Sequence, residues 1–77
     1  MNIKLMYFGM LAEVTGCSEE NLRTEATHIA ELKEILLEKY PELQSKDFRI
    51  AQDEELVSGE VVLNGSQIAL LPPFSGG

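Results

Sequence analysis

The C-terminal residues are the part of this chain whose types and spacing could support chemistry. The last two, Gly76 and Gly77, place a carboxylate at the end of a segment without side-chain bulk. Such an end can enter a narrow tunnel and present its carboxylate to the active site of another protein. A carboxylate is a poor electrophile, so it must be activated, for instance as an acyl-adenylate, before a nucleophile can attack it. The diglycine therefore predicts a chemical handle that partner enzymes modify.

The residues before the diglycine favour this interpretation over an ordinary frayed terminus, where small residues also collect. Two prolines hold an extended polyproline geometry and project the end of the chain away from the preceding strand. An aromatic residue is costly to leave in a tail unless another protein receives it. We expect a tail that is flexible from about residue 72 and that partner active sites receive, consisting of Pro72, Pro73, Phe74, Ser75, Gly76 and Gly77.

Elsewhere in the chain, Cys17 and His28 are the residues that could form a nucleophile pair. No oxyanion donors are suggested near Cys17, and one helix on a sheet scarcely provides the pocket that such a pair needs. We interpret Cys17 as an incidental small residue and His28 as a surface residue of a helix. A single Cys and a single His exclude an internal disulfide and disfavour a zinc site. No phosphate-binding glycine loop or EF-hand pattern occurs, so no catalytic residue, metal or bound cofactor is predicted.

Length and composition predict one soluble domain spanning residues 1–77. Hydrophobic residues make up 44% and charged residues 25%, an ordinary globular balance. The net charge of −7 disfavours nucleic acids and anionic membranes as partners, because phosphate binding needs clustered Lys and Arg. No apolar run approaches the roughly 20 residues of a membrane span, and no signal-peptide pattern opens the chain. We therefore expect a cytoplasmic protein without a membrane or nucleic-acid partner.

The elements that must position the tail begin with a strand over residues 2–8. Three of its apolar residues point to one face, and Met6 and Phe8 point to the other. Both faces are apolar apart from Lys4, which predicts a central strand covered on both sides.

A short helical turn over residues 10–15 and a weak, polar edge strand over residues 18–25 follow. The clearest element is a helix over about residues 28–40, with Thr27 as its N-cap and Pro41 as its stop. Its apolar residues recur at i, i+3 and i+4 spacing, and its glutamates are interpreted as a solvated face.

Three further strands are predicted over residues 48–51, 56–57 and 68–71, with a turn at 52–55. Asn64-Gly65 is either a hairpin turn or a turn that launches the last strand. The order is therefore strand, strand, helix, strand, strand, strand. Fully apolar first and last strands favour parallel pairing at the centre of a mixed sheet, with one main helix on one face. This is the ubiquitin-like β-grasp arrangement, an α+β fold.

A partner surface is predicted on the sheet face that the helix leaves open, next to the tail. The candidates are Phe8, Leu56 and Leu71, which flank the tail or lead into it. Leu70 and Leu71 point to opposite faces, and alternation alone leaves open which of them faces inward.

The whole chain resembles the small subunits of molybdopterin synthase, the MoaD type of ubiquitin-like sulfur carrier in the MoaD/ThiS superfamily. The most specific resemblance is the ending Pro-Pro-x-Ser-Gly-Gly after an apolar strand. The segments that carry it are 3–9 and 13–16, the helix start 30–33, the stop Tyr40-Pro41, the segment 50–57 and the ending 68–77.

The resemblance implies that this chain carries sulfur while other proteins catalyse. A MoeB-type enzyme would use ATP to adenylate the Gly77 carboxylate, and sulfur from a persulfide donor protein would replace AMP to give a thiocarboxylate. A MoaE-type large subunit would then receive the tail and pass the sulfur to a cyclic pterin precursor, within a heterotetramer of two small and two large subunits. Many relatives carry Arg where this chain has Ala12; if that Arg serves in partner docking, the docking of this chain must differ there.

Three alternatives from other classes stay open at this stage. The chain could carry sulfur for another pathway such as thiazole synthesis, although its Pro-Pro-Phe-Ser approach fits that role less well. It could be a protein modifier whose Gly77 forms an isopeptide bond with a lysine. It could also be an interaction domain without tail chemistry.

Overall fold

The first and last strands lie side by side at the centre of a mixed five-stranded sheet with the order β2-β1-β5-β3-β4. This computed structural model describes residues 1–65 and 67–73. The strands are β1 (Asn2–Tyr7), β2 (Glu19–Arg23), β3 (Arg49–Gln52), β4 (Glu55–Val57) and β5 (Gln67–Leu71). The helices are α1 (Met10–Thr15), α2 (Ile29–Lys39) and a 3₁₀ helix, Pro41–Ser45. β1 and β5 are parallel and the other neighbours antiparallel, which confirms the predicted β-grasp fold.

One face of the sheet packs against α2 and the 3₁₀ helix to form the core. Alternate residues of β1 and β5 point to this face, and α2 contributes residues at helical spacing. The largest fully buried side chains are Leu5, Leu11, Ile29, Leu32, Leu36, Leu43, Ile68 and Leu70.

The opposite face of β1 is open, so the prediction of a strand covered on both sides is wrong. Met6 is only partly buried and Phe8 is 41% exposed. The apolar character of both faces correctly indicated a central strand. However, the main helix and the 3₁₀ helix both pack on the same side of the sheet, and nothing in the described part of the chain covers the other side.

The predicted N-cap of α2 is wrong by one residue. His28, in an extended conformation, is the N-cap, and Thr27 precedes it. The Glu31 carboxylate accepts hydrogen bonds from the N–H groups of Thr27 at 2.9 Å and His28 at 3.1 Å, and from the Thr27 hydroxyl. Thr27 therefore donates to a carboxylate in the first helical turn instead of accepting from the helix backbone.

The C-terminal end of α2 leads directly into the 3₁₀ helix. The Tyr40 N–H donates to the Leu36 carbonyl at 2.8 Å, and Pro41 opens the following helix. The stop at Pro41 is as predicted from the sequence, whereas the 3₁₀ helix, which buries Leu43 completely, was not predicted.

Asn64-Gly65 is a turn that launches β5, not a hairpin turn. β4 and β5 are not neighbours, because β3 lies between them in the sheet. Both N–H groups donate at 2.9 Å to the side-chain oxygen of the buried Gln52. The turn therefore wraps around a side chain of β3, and its backbone N–H groups find their hydrogen-bond acceptor in that side chain instead of in a partner strand.

Among the described residues, no helix has the combination of length and apolar character that crossing a bilayer requires.

Candidate functional site

The tail follows β5, the middle strand of the sheet. β5 pairs with β1 on one side and β3 on the other, up to the Arg49↔Leu71 pair. The Phe8 N–H donates to the Leu70 carbonyl at 3.2 Å, which continues the β1–β5 ladder by one bond. The chain then enters Pro72, which lacks a ladder donor and ends the strand. The point from which the tail departs is therefore fixed from both sides.

Pro72 also contacts the loop that follows β1. A β-carbon added to Gly9 would lie 3.1 Å from Pro72 Cγ, and Gly9 has a φ of 58°. Sequence reasoning did not include Gly9 in the site. The only sequence feature that could have indicated Gly9 was its place as a glycine between a predicted strand and a predicted helical turn, a position that favours positive φ.

The remaining tail residues predicted to act in partner active sites, Phe74, Ser75, Gly76 and Gly77, lie outside the described residues. Of the predicted tail, the structure describes Pro72 and Pro73, both of which are half-buried. The assignment of chemistry to Gly77 thus stays a prediction from the sequence.

The three residues predicted for the partner surface lie together on the open sheet face. Phe8, Leu56 and Leu71 line one groove of about 320 Å³. Its floor is a row of small side chains across the sheet, because Ala51 pairs with Ala69. Phe8 is 41% and Leu56 is 54% exposed, so this groove presents apolar surface to solvent next to the root of the tail.

Leu71, and not Leu70, faces this groove. Leu70 is fully buried in the core, whereas Leu71 is half-buried and lines the open face. Leu70 pairs with Tyr7 in the parallel register, and paired residues point to the same face of a sheet. Because Tyr7 points into the core, Leu70 does so too, and Leu71 points to the open face. The chain therefore reaches Pro72 directly from a residue on the open face.

A polar cluster lies beneath β2, between the sheet and the end of α2. Glu20 Oε1 accepts hydrogen bonds of 2.6 Å from the hydroxyls of Tyr7 and Tyr40, and Lys39 pairs with Oε2 at 3.0 Å. Burial alone would raise the pKa of Glu20, but the bonds from Tyr40, Tyr7 and Lys39 outweigh it and lower the pKa. Burial and the Glu20 carboxylate raise the pKa of both tyrosines. Their phenols therefore stay neutral, and the cluster is a structural clamp.

The Cys17 and His28 side chains make contacts with different residues. Cys17 Sγ lies 3.9 Å from Thr15 Oγ1, whereas His28 Nδ1 lies 2.9 Å from Thr27 Oγ1 at the start of α2. Within residues 1–65 and 67–73, no group of three His, Cys, Asp or Glu side chains is arranged to hold a metal ion. The described residues place the root of the tail next to an apolar surface.

Comparison with known proteins by sequence identifies one family. The pattern that defines the ThiS family matches residues 5–77. Two curated relatives are molybdopterin synthase sulfur carrier subunits, from Caenorhabditis briggsae at 35% identity and Chlamydomonas reinhardtii at 31%. Each alignment covers 100% of this chain, and 99% and 100% of the respective relative.

Two solved structures share the fold. A Pyrococcus furiosus protein, provisionally assigned as subunit 1 of a molybdopterin converting factor, superimposes with a TM-score of 0.85 at 21% identity over 95% of this chain and 98% of its own. SAMP1 of Haloferax volcanii superimposes with a TM-score of 0.78 at 24% identity over 100% of both chains. These identities support the fold, while the family match and the curated relatives confirm the resemblance found in the sequence. The chain belongs to the ThiS family.

Proposed function

We propose that this chain is the sulfur carrier subunit of a molybdopterin synthase. The observation that carries the proposal is the full-length match to subunits of that name, in a chain whose central strand β5 leads directly into a Pro-Pro-Phe-Ser-Gly-Gly ending. A large catalytic subunit is then the expected main partner. Its active site would receive the tail, and the open face lined by Phe8, Leu56 and Leu71 would contact its surface.

The proposed chemistry takes place on the Gly77 carboxylate. A MoeB-type enzyme joins the carboxylate to the α-phosphate of ATP and releases pyrophosphate, which leaves an acyl-adenylate. A persulfide sulfur of the donor protein attacks the acyl carbon, AMP leaves, and a thiol reduces the resulting acyl disulfide to the thiocarboxylate. In the large subunit the sulfur passes to the pterin precursor, and water restores the carboxylate.

The chain's own contribution to this sequence is positioning. No acid or base of this chain is assigned to any step. The paired strand β5 holds the root of the tail, and the Pro72–Gly9 contact restricts the direction in which the tail leaves. Acid–base catalysis is assigned to residues of the partner proteins.

The experiment is reconstitution with a MoeB-type enzyme, ATP and a sulfur source, followed by mass spectrometry of the intact chain. We expect replacement of one oxygen by sulfur in the full-length chain and none in a chain that lacks Gly77. Addition of a MoaE-type subunit and pterin precursor should return the chain to its carboxylate form and yield molybdopterin. A chain that forms the thiocarboxylate but passes sulfur only to a thiazole synthase, or forms isopeptide adducts instead, would support the alternative carrier or modifier function.

A further inference from the structure

The ladder between β1 and the edge strand β2 has hydrogen bonds at both of its ends. β2 is the outermost strand on its side of the sheet. At one end the Thr24 N–H donates to the Met1 carbonyl at 2.9 Å, and the Met1 ammonium group donates to the Thr24 carbonyl at 3.0 Å. At the other end the Tyr7 N–H donates to the Ser18 carbonyl at 2.9 Å. Hydrogen-bonded pairs alternate along an antiparallel ladder, so the even-numbered residues of β2 are the ones that bond to β1.

The odd-numbered residues of β2 therefore turn their backbone groups away from the sheet. The N–H and C=O groups of Glu19, Asn21 and Arg23 point outward, and within residues 1–65 and 67–73 no other backbone group bonds to them. The side chains of these residues lie on the open-face side, because Glu19 pairs with Met6 of that face. Such a row of unpaired backbone groups is a template on which an extended segment of another protein can add as a strand.

A groove of about 560 Å³ lies on the helix side of this edge, between α2 and the segment that follows β2. Its apolar lining consists of Ala26, Ile35 and Leu37, which are all half-buried. β2 runs beside α2, because Glu20 near the start of the strand bonds to Lys39 at the end of the helix, while Ala26 beyond the strand lies against earlier helix residues. A strand added to this edge would therefore direct alternate side chains toward the groove.

The charge of this groove is negative, because every ionisable residue that lines it is a glutamate: Glu25, Glu31, Glu34 and Glu38. Glu34 and Glu38 lie four residues apart on one helix, a spacing at which like charges repel each other. Among the described residues, neither of these two nor Glu25 forms an ion pair. The free protein therefore carries unbalanced negative charge along the groove, and a cationic occupant would relieve it.

The basic side chains around the groove are either paired or directed elsewhere. Lys39 lies 3.0 Å from the carboxylate of β2 that binds the two tyrosines. His28 lies 3.7 Å from Glu31, whose carboxylate already accepts the hydrogen bonds that cap α2. Arg23 points to the other face of β2, and Lys33 lines the grooves on the other side of α2. The remaining three glutamates of the groove are therefore available to a basic partner.

We propose that the free edge of β2 and the adjoining groove dock an extended basic segment of a partner protein. The main chain of the segment pairs with Asn21 and its odd-numbered neighbours. Its Lys or Arg side chains lie along Ala26 and Ile35 and reach the glutamates with their charged ends. The residues that line the apolar groove of the open face all lie outside β2, so a partner bound at this edge leaves the tail accessible to another protein. This second docking site goes beyond the proposed function and does not depend on it.

The test is an NMR titration of the ¹⁵N-labelled full chain with synthetic peptides of equal length. The binding probe alternates Lys and Thr, because Thr favours an extended strand and Lys supplies the charge. A Glu/Thr peptide reverses the charge, and spermine supplies positive charge without a peptide main chain. We expect the Lys/Thr peptide to bind more tightly than either control, and its affinity to fall as the salt concentration rises.

Hydrogen exchange tests the pairing of the main chains. Saturation with the Lys/Thr peptide should slow the exchange of the outward amides of Glu19, Asn21 and Arg23. The amides of Glu20 and Leu22 already face β1, so their exchange should change much less.

A proline at the free edge removes one of the proposed donors. The Asn21 N–H points away from β1, so Asn21→Pro leaves the β1–β2 ladder its hydrogen bonds. We expect Asn21→Pro to weaken binding of the Lys/Thr peptide by about three- to tenfold. Asn21→Ala, which keeps the N–H, should bind the peptide as the parent does.

Charge-reversal variants test the assignment of the glutamates. Glu34→Lys and Glu38→Lys should each weaken binding of the Lys/Thr peptide by about three- to tenfold. Glu55→Lys, an equal charge change on β4 at the opposite edge of the sheet, should leave the affinity unchanged.

The proposal is overturned if the Lys/Thr peptide does not bind, if it protects none of the three outward amides, or if Asn21→Pro binds it as tightly as the parent. It is also overturned if Glu55→Lys weakens binding as much as Glu38→Lys, or if spermine binds equally well, because the groove would then recognise charge alone. Protection of the same amides that rises with protein concentration, without peptide, would identify a second copy of this chain as the occupant and overturn the choice of a basic segment.

Discussion

The ring of Pro72 lies against Gly9, so close that a β-carbon on residue 9 would lie 3.1 Å from Pro72 Cγ. Gly9 follows β1 and Pro72 follows β5, so the two residues continue the central parallel strand pair beyond its last hydrogen bonds. The loop after the first strand therefore borders the root of the tail. We infer that this contact restricts the direction in which the tail leaves the sheet.

Gly9→Ala should destabilise the fold for two separable reasons. Its φ of 58° and ψ of −136° are rarely adopted by residues with a β-carbon, and the new methyl group would crowd Pro72. We expect the free energy of unfolding to fall by about 1–3 kcal/mol, measured by urea denaturation. In a Pro72→Ala background, which lacks Cγ, the loss should be smaller by about 0.5 kcal/mol or more, because only the backbone strain remains. Equal losses in both backgrounds would show that the two residues are not coupled.

Glu20→Gln should destabilise the protein in a pH-dependent way. Hydrogen bonds from Tyr7, Tyr40 and Lys39 lower the pKa of Glu20 in the folded state. The carboxylate therefore adds stability at pH values above its unfolded pKa, and this contribution is lost as the pH falls through the folded pKa. We expect the variant to lose about 1–3 kcal/mol of unfolding free energy at neutral pH. The difference in unfolding free energy between the variant and the parent protein should decrease below roughly pH 4.

The matched control is the neighbouring residue, Glu19, whose pair with Lys4 is exposed at 3.4 Å. Glu19→Gln should change the free energy of unfolding by less than about 0.5 kcal/mol at any pH. If Glu20→Gln lowered the free energy of unfolding equally at pH 3 and pH 7, the lost stability would come from packing and not from the ionised carboxylate.

Local pattern was enough to predict the order of the elements along the chain, the main helix, β2 as an edge strand and the central pairing of the first and last strands. Alternation placed the side chains of β1 correctly, and the apolar run before Pro72 identified β5 as central. The same alternation could not show that the second face of β1 is open, because a face that binds a partner is as apolar as a face covered by the chain itself.

The features that sequence reasoning missed depend on contacts between distant segments. Gln52 is 8% exposed and holds the turn before β5 through bonds to the backbone of residues 62, 64 and 65. In the sequence it was one polar residue at the start of a predicted turn, with no local signal for burial. The five-residue 3₁₀ helix Pro41–Ser45 was missed because it is too short to show a period.

Leu56→Glu should weaken binding of the proposed large subunit much more than it destabilises the fold. Leu56 is 54% exposed and borders the open face beside Phe8 and Leu71. A charge buried in the interface should raise the dissociation constant by about tenfold or more, as measured by isothermal titration calorimetry. The unfolding free energy should change by less than about 0.5 kcal/mol, because the side chain is already in water in the free protein.

Val62→Glu provides the control for Leu56→Glu. Val62 is 53% exposed and does not line the open face. The variant therefore introduces the same charge outside that face. It should leave the dissociation constant for the large subunit unchanged. Equal weakening by both variants would point to a general effect of net charge, and a large loss of stability in Leu56→Glu alone would place Leu56 in the folded core.

Gly76→Val should impair the proposed chemistry without changing stability. A β-branched side chain narrows the accessible backbone dihedrals and widens the cross-section that must enter a partner's channel. Position 76 follows Leu71, the last residue of β5, by five residues in the sequence. We expect an unchanged melting temperature and a sharply reduced rate of thiocarboxylate formation, followed by mass spectrometry with the activating enzyme, ATP and a sulfur source.

A graded series makes the Gly76 test specific to side-chain bulk. Gly76→Ala adds one methyl group and should reduce the rate less than Gly76→Val, because it widens the chain less and leaves the backbone less restricted. Fixing a peptide backbone in a channel costs about 1–2 kcal/mol per residue, and Phe74 and the two prolines are the apolar groups of the tail that could offset this cost. Phe74→Ala should therefore raise the KM for the activating enzyme more than it lowers kcat. Normal thiocarboxylate formation and normal sulfur transfer in Gly76→Val would show that the channel tolerates bulk and that the diglycine is not a steric requirement.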